Sequence, residues 1–117
     1  MKYFIYLFII ISLNSCNYYN NNIIVKNSSE KMIDSVLIFG NPRCEPLKIL
    51  NIMPSTTKEG NLLNCNKTSN DGSYSIQVYS SSNMIQKQYG YFTNGTPFFD
   101  EIIIELNKKN EVNITED

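Results

Sequence analysis

The sequence predicts an all-β domain, a single sandwich or small barrel of about seven short strands. Three observations predict it. From Ile23 onward the apolar residues recur with a period of two, the signature of strands with one buried face. Turn-forming Gly, Pro, Asn and Asp interrupt that alternation about every eight to twelve residues. Alanine, the best helix former, is absent from the chain, and no apolar pattern of helical period extends beyond a turn.

The strands follow in order. Residues 23–26, Ile-Ile-Val-Lys, predict a first strand closed by Asn27-Ser28-Ser29. Residues 33–39 predict a second, with Ile33, Ser35, Leu37 and Phe39 on one face and Val36 and Ile38 on the other; Gly40-Asn41-Pro42 breaks it. Residues 47–52 form a third, ended by Pro54, and Leu62-Leu63 a short edge strand. Asn70-Asp71-Gly72 is a turn, since Asp-Gly readily supplies positive φ. Beyond it Tyr74, Ile76 and Val78 alternate with Ser75, Gln77 and Tyr79. Residues 85–92 make the next strand, turned by Asn94-Gly95. Ile102, Ile104 and Leu106 alternate with Glu101 and Glu105, which predicts a half-buried strand with exposed glutamates, and residues 111–114 close the domain. Ile76, Val78, Ile102, Ile104 and Leu106 are the expected core.

The N-terminus is of another kind. Met1-Lys2 precedes an unbroken apolar run from Tyr3 to Ile11. One positive charge, a short apolar core and then small or polar residues make a secretory signal peptide. The run is too short to span a bilayer, which takes about 20 apolar residues.

Leu13-Asn14-Ser15-Cys16 stands where cleavage would fall, and it resembles the lipobox of bacterial lipoproteins. An aliphatic residue at −3 and a small one at −1 precede the cysteine; Asn14 at −2 departs from the commoner Ala, Ser, Thr or Val. The resemblance implies that Cys16 carries a diacylglycerol and becomes the first residue of the mature chain. Two or more acyl chains anchor a protein stably, at about 0.8 kcal/mol per buried CH₂. The expected organisation is a signal peptide over 1–15, a lipidated Cys and polar tether over 16–22, and the β-sandwich over 23–117. The expected place is the cell envelope. Asn17 is not Asp and no acidic cluster follows Cys16, which by the same resemblance favours the outer membrane, facing the periplasm.

Composition narrows the function classes. The whole chain carries ten Lys and Arg against eleven Asp and Glu; without Lys2 the mature part has nine against eleven, a net of −2. No basic patch points to nucleic acid. There is no histidine, so Ser-His and Cys-His catalysis is excluded. Asp100 and Glu101 are neighbours on a strand and point to opposite faces, a poor arrangement for paired-carboxylate chemistry. Asn70, Asp71 and Ser73 read as a turn rather than a calcium site, which needs six to eight oxygens. No enzyme activity, cofactor or metal is expected.

Cys44 and Cys65 remain after Cys16. In an oxidising envelope such a pair most simply forms one disulfide, with two buried free thiols as the alternative. Closing that loop would stabilise the fold by roughly 3 kcal/mol. Asp34-Ser35-Val36 resembles the O-glycosylation sequon of the Bacteroidota, with Ser35 as acceptor. The Asn-x-Ser/Thr tripeptides at Asn27, Asn66, Asn94 and Asn113 are chance matches in an Asn-rich chain.

Two further resemblances bear on the domain. Asp71-Gly72-Ser73-Tyr74-Ser75-Ile76 is similar to the Asp-Gly-x-Tyr-x-Ile step of transthyretin-like and carboxypeptidase-regulatory-like sandwiches. The stretch from Ile23 to Ile38, together with Tyr89-Gly90-Tyr91-Phe92-Thr93-Asn94-Gly95, resembles small lipoproteins of the Bacteroidota. These imply an immunoglobulin-like or transthyretin-like fold and bring no catalytic residues. The candidate binding face is Tyr89, Tyr91 and Asn94, within an aromatic cluster that includes Phe92, Phe98 and Phe99. Tyrosines there combine apolar area with a polar tip; the competing reading packs them against a sheet. The expected function is a non-catalytic envelope module that binds a protein or glycan. The alternative is an immunity- or inhibitor-type lipoprotein that blocks a toxin or hydrolase, for which no particular residue speaks.

Overall fold

Alternation sends every second side chain of a strand inward, so two such sheets close over one apolar layer. The computed structural model describes residues 21–40, 45–62, 71–93, 96–97 and 99–116, and these form two packed sheets without a helix. The strands are β1 (Asn22–Asn27), β2 (Ile33–Phe39), β3 (Leu47–Ile52), β4 (Thr56–Asn61), β5 (Gly72–Ser80), β6 (Asn83–Thr93), β7 (Thr96–Pro97), β8 (Glu101–Leu106) and β9 (Val112–Glu116). One sheet has the order β4-β1-β8-β9, the other β3-β2-β5-β6-β7. All pairings are antiparallel except β1 with β8, which runs parallel from Asn22 beside Glu101 to Asn27 beside Leu106.

In an immunoglobulin constant sandwich the third strand leaves the sheet of the second. Here β3 pairs with β2, while β1 and β4 lie together in the opposite sheet. This order departs from the immunoglobulin arrangement.

The core is the expected one and more. Ile76, Val78, Ile102, Ile104 and Leu106 are all buried, joined by Ile23 and Val25 of β1 and Val36 and Ile38 of β2. Each such side chain contributes about 1.5–3 kcal/mol when fully buried.

Several expectations need correction. The strand expected at Leu62-Leu63 lies earlier, at Thr56–Asn61; Leu62 follows it as a buried residue, and Leu63 is outside the described residues. Its sequence, Thr-Thr-Lys-Glu-Gly-Asn, has no apolar alternation because it is an edge strand, largely exposed. Gly72 opens β5 rather than turning, and a short β7 follows β6. The closing strand runs to Glu116. Ile33 does not share a face with Ser35, Leu37 and Phe39. It is fully buried, as is its partner Ile52, because Asn51 adopts φ 55° and breaks the alternation of β3 beside Asp34. Glu101 and Glu105 are half-buried, not exposed.

Register defines two ends. At the entry end lie the starts of β1, β3, β5 and β8 and the finish of β2, β4, β6 and β9; at the turn end lie the reverse.

Candidate functional site

Of the aromatic residues, Tyr89 and Phe99 lie at the entry end with Tyr74, and packing accounts for these three. Tyr74 of β5 is buried, with its ring edge-on to Phe99 at a centroid separation of 5.9 Å and an angle of 73°, a favoured aromatic geometry. Gly40 makes room for it: a Cβ there would lie 2.6 Å from Tyr74 Cε1. Burial pushes the Tyr74 phenol up to about 12. The stability linked to its proton is therefore present below pH 10 and is lost as pH rises toward 12.

Tyr89 and Tyr91 do not share a face. Tyr74 pairs with Tyr89, but Gly72 pairs with Phe92, so Gly90 and Tyr91 together oppose Ser73 in a β-bulge. Gly90 takes φ 74°, which only glycine adopts at little cost. Tyr89 faces the core opposite Tyr74, partly buried, and its hydroxyl donates to Glu116 Oε2 at 3.1 Å. Desolvation, then that hydrogen bond and the Glu116 charge, hold its phenol above the ordinary range. Tyr91 is half exposed. Asn94 and Phe98 lie outside the described residues, as do Cys16, Cys44 and Cys65.

The turn end is built differently, from hydrogen bonds and left-handed backbone. Asn27 closes β1 with its side chain buried. Its amide donates to Lys31 O at 2.7 Å and to Ile52 O at 2.9 Å, and its Oδ1 accepts from Ser29 N at 3.0 Å. Ser29 Oγ lies 2.7 Å from Asn27 Oδ1 and 3.0 Å from Lys31 O, with one proton to give, and accepts from Lys31 N at 3.3 Å. The backbone around Lys31 is thus clamped to the ends of β1 and β3. Asn27 therefore acts as a structural clamp, and a sugar on its amide nitrogen would conflict with the contacts to Lys31 O and Ile52 O.

Two further turns complete this end. Ser81 and Ser82, at φ 48° and 68°, make a two-residue turn between β5 and β6, the pattern of a type I′ hairpin without its usual glycine. Asp34 Oδ2 accepts from Ser81 N at 3.2 Å, and Ser80 Oγ donates to Met32 O at 3.0 Å, tying the hairpin to β2. Between β8 and β9, Asn107 Oδ1 accepts from Lys109 N and Glu111 N, both at 2.9 Å, and Asn110 takes φ 60°.

A cavity of about 310 Å³ opens between these turns, within the size range of small-ligand sites. Val78, Ile85 and Leu106 form its floor; Lys31, Ser81 and Asn110 stand at its rim. A more open recess of about 330 Å³ lies on the β4 side, where Lys26 and Lys108 meet Ser55 and Thr57. Its charge is partly answered from within, since Lys26 Nζ lies 3.5 Å from Glu105 Oε2, which also accepts from Ser28 Oγ at 2.8 Å.

The outer faces of the sheets also differ. Cross-strand partners put Leu50, Ser35, Tyr79 and Met84 in one row across the five-stranded sheet, neutral and partly apolar. Ser35 is half-buried in that row. The matching row of the other sheet is Thr57, Lys26, Glu105 and Asn113. Asp100 is exposed just before β8, and Glu101 opens that strand half-buried. Among the described residues no group of three acidic, Cys or His side chains converges on a point.

Sequence reasoning missed this cavity. Its signals were present in Ser81-Ser82 between two alternating runs and in Asn27-x-Ser29, but neither is the usual Asn-Gly or Asp-Gly marker.

No family model matches the chain, and no curated protein matches it. Among solved structures, the NMR structure of a protein from Eubacterium rectale is similar, with a TM-score of 0.51 over 82% of this chain and 86% of that one, at 8% identity. At that identity the likeness concerns the two-sheet fold alone.

Proposed function

We propose that this chain is a lipid-anchored, non-catalytic binding module of the bacterial cell envelope, held at Cys16 on the outer membrane and facing the periplasm. The observation that carries the reading is the apolar run Tyr3–Ile11 followed by Ser15-Cys16. The fold is compatible with it in a specific way. β1 starts at Asn22, at the entry end, and the cavity opens at the opposite end. Six Cα-to-Cα steps separate Cys16 from Asn22, a reach of at most about 22 Å. In this reading the entry end, with Tyr91, stands next to the lipid headgroups, where amphipathic tyrosines are favoured, and the turn end is presented to the periplasm.

Replacing Cys16 by alanine tests the anchor. Metabolic labelling with an alkyne fatty acid is expected to mark the wild type and not the variant; equal label in both would refute the reading. The same compartment fits a Cys44–Cys65 disulfide. Cys44 falls between β2 and β3, and Cys65 between β4 and β5, both in connections that start and finish at the entry end. Protein isolated from the envelope should then show no titratable thiol when unfolded without reductant.

A further inference from the structure

We propose that the turn-end cavity is a binding site for a small amphipathic carboxylate, an apolar side chain the size of leucine joined to a carboxylate that pairs with Lys31. This deepens the reading of the chain as a binding module and depends on it.

The chemistry comes from the lining. The floor of Val78, Ile85 and Leu106 is aliphatic and lies where the two sheets part. An apolar recess of this size gains from a matching hydrocarbon body. Two features then select the head group. Lys31 is the cation of the lining, and no acidic side chain joins it there among the described residues. Its ammonium makes no ion pair among the described residues, whereas Lys26 at the neighbouring recess is paired with Glu105. A cation without a local partner at the rim of an apolar cleft favours an anion there.

Preorganisation is the third feature. The Lys31 backbone is held on both sides by the buried Asn27 and Ser29 side chains, so its stem starts from a fixed point. The opposite rim is fixed by the left-handed Ser81, Ser82 and Asn110. Non-glycine residues adopt that conformation only at a cost, and such strain gathers where a site must keep its shape. Ser81 and Asn83 add a hydroxyl and an amide that can bond a carboxylate or an adjoining amide.

The ligand chemistry has two sources, a free small-molecule carboxylate or the C-terminus of a peptide ending in an apolar residue. The test uses the full chain, methyl-labelled and held in phospholipid nanodiscs, titrated with N-acetylleucine, N-acetylleucinamide and a short peptide ending in leucine. Saturable shifts of the Val78 and Ile85 methyl signals are expected with N-acetylleucine, with the Met53 methyl unmoved, since Met53 lies outside the lining. The amide should bind more weakly than the carboxylate. Lys31→Gln, at an exposed position that leaves the fold intact, should weaken N-acetylleucine by about three- to fivefold, as for a solvent-facing ion pair. Tighter binding of the peptide than of N-acetylleucine assigns the peptide source; equal binding assigns the small molecule. Absence of saturable shifts with both carboxylates overturns the proposal. So does equal binding of amide and carboxylate, or an unchanged affinity in Lys31→Gln. None of these outcomes touches the anchor, which the Cys16 labelling decides separately.

Discussion

The two ends of this sandwich are held by different physics. At the entry end the chain is fixed by contact: Tyr74 against Phe99, with glycines at 40 and 90 giving the rings their space. At the turn end it is fixed by hydrogen bonds from Asn27, Ser29, Asp34 and Asn107 and by left-handed serines and asparagine, and a cavity is left open between them. The difference teaches that an aromatic cluster is not by itself a binding face. Here Tyr74, Tyr89 and Phe99 close one end of the core, and the open volume lies between turns of polar sequence.

Breaking the entry end should have the largest effect. Phe99→Ala removes a buried ring and the partner of Tyr74, and should cost about 3–5 kcal/mol in a denaturant melt. If packing does not hold this end, the loss will fall under about 1 kcal/mol. At the turn end, Asn27→Ala keeps the volume change small but strands Ile52 O and Ser29 N in a buried setting. It should cost about 2–3 kcal/mol, from unmet buried polar groups, and Ile52 and Ser29 amides should lose protection from hydrogen exchange before the strand centres do.

A pair of glycine exchanges sharpens the contrast. Gly90→Ala places a Cβ 3.3 Å from Phe99 Cε1 at φ 74°, and should lower stability by about 1–2 kcal/mol. Ser82→Gly does the opposite, relieving a left-handed serine in a type I′ turn, and should raise stability by up to about 1 kcal/mol. Equal signs for the two in thermal melts would mean that backbone conformation does not distinguish the ends. The smallest effect is expected for Tyr91→Ala, within about 0.5 kcal/mol, because the side chain is half exposed and outside the core. A larger loss would return Tyr91 to the packed cluster with Tyr89.

Much of the fold is legible in the chain because burial leaves a period of two. It placed β2 and β3 at their observed bounds and named Ile76, Val78, Ile102, Ile104 and Leu106 as core. β4 was not legible because an edge strand has little to bury. Gly60 of β4 lies against β3, and a Cβ there would meet Ile49 and Leu47 at 3.1–3.2 Å, a tertiary fact with no local signature. Lys58 shows why such a strand is polar: its ammonium donates to Leu50 O at 2.7 Å, occupying a carbonyl of the edge strand β3. The Tyr89–Tyr91 face was misread because a one-residue bulge at Gly90 reverses the alternation beyond it. The cavity was hidden for a topological reason. Lys31, Ser81 and Asn110 belong to three separate connections that only the sheet order brings together.

The central claim is that the chain is anchored by its entry end and presents its turn end. Paramagnetic relaxation tests it most directly, with the lipidated protein in nanodiscs that carry gadolinium on a fraction of the lipid headgroups. The account predicts strong broadening of the Ile23 and Ile102 methyls, beside the start of β1, and little for Met53, Met84 and Ile85 at the turn end. Equal broadening at both ends, or stronger broadening of Met84 and Ile85, would contradict it.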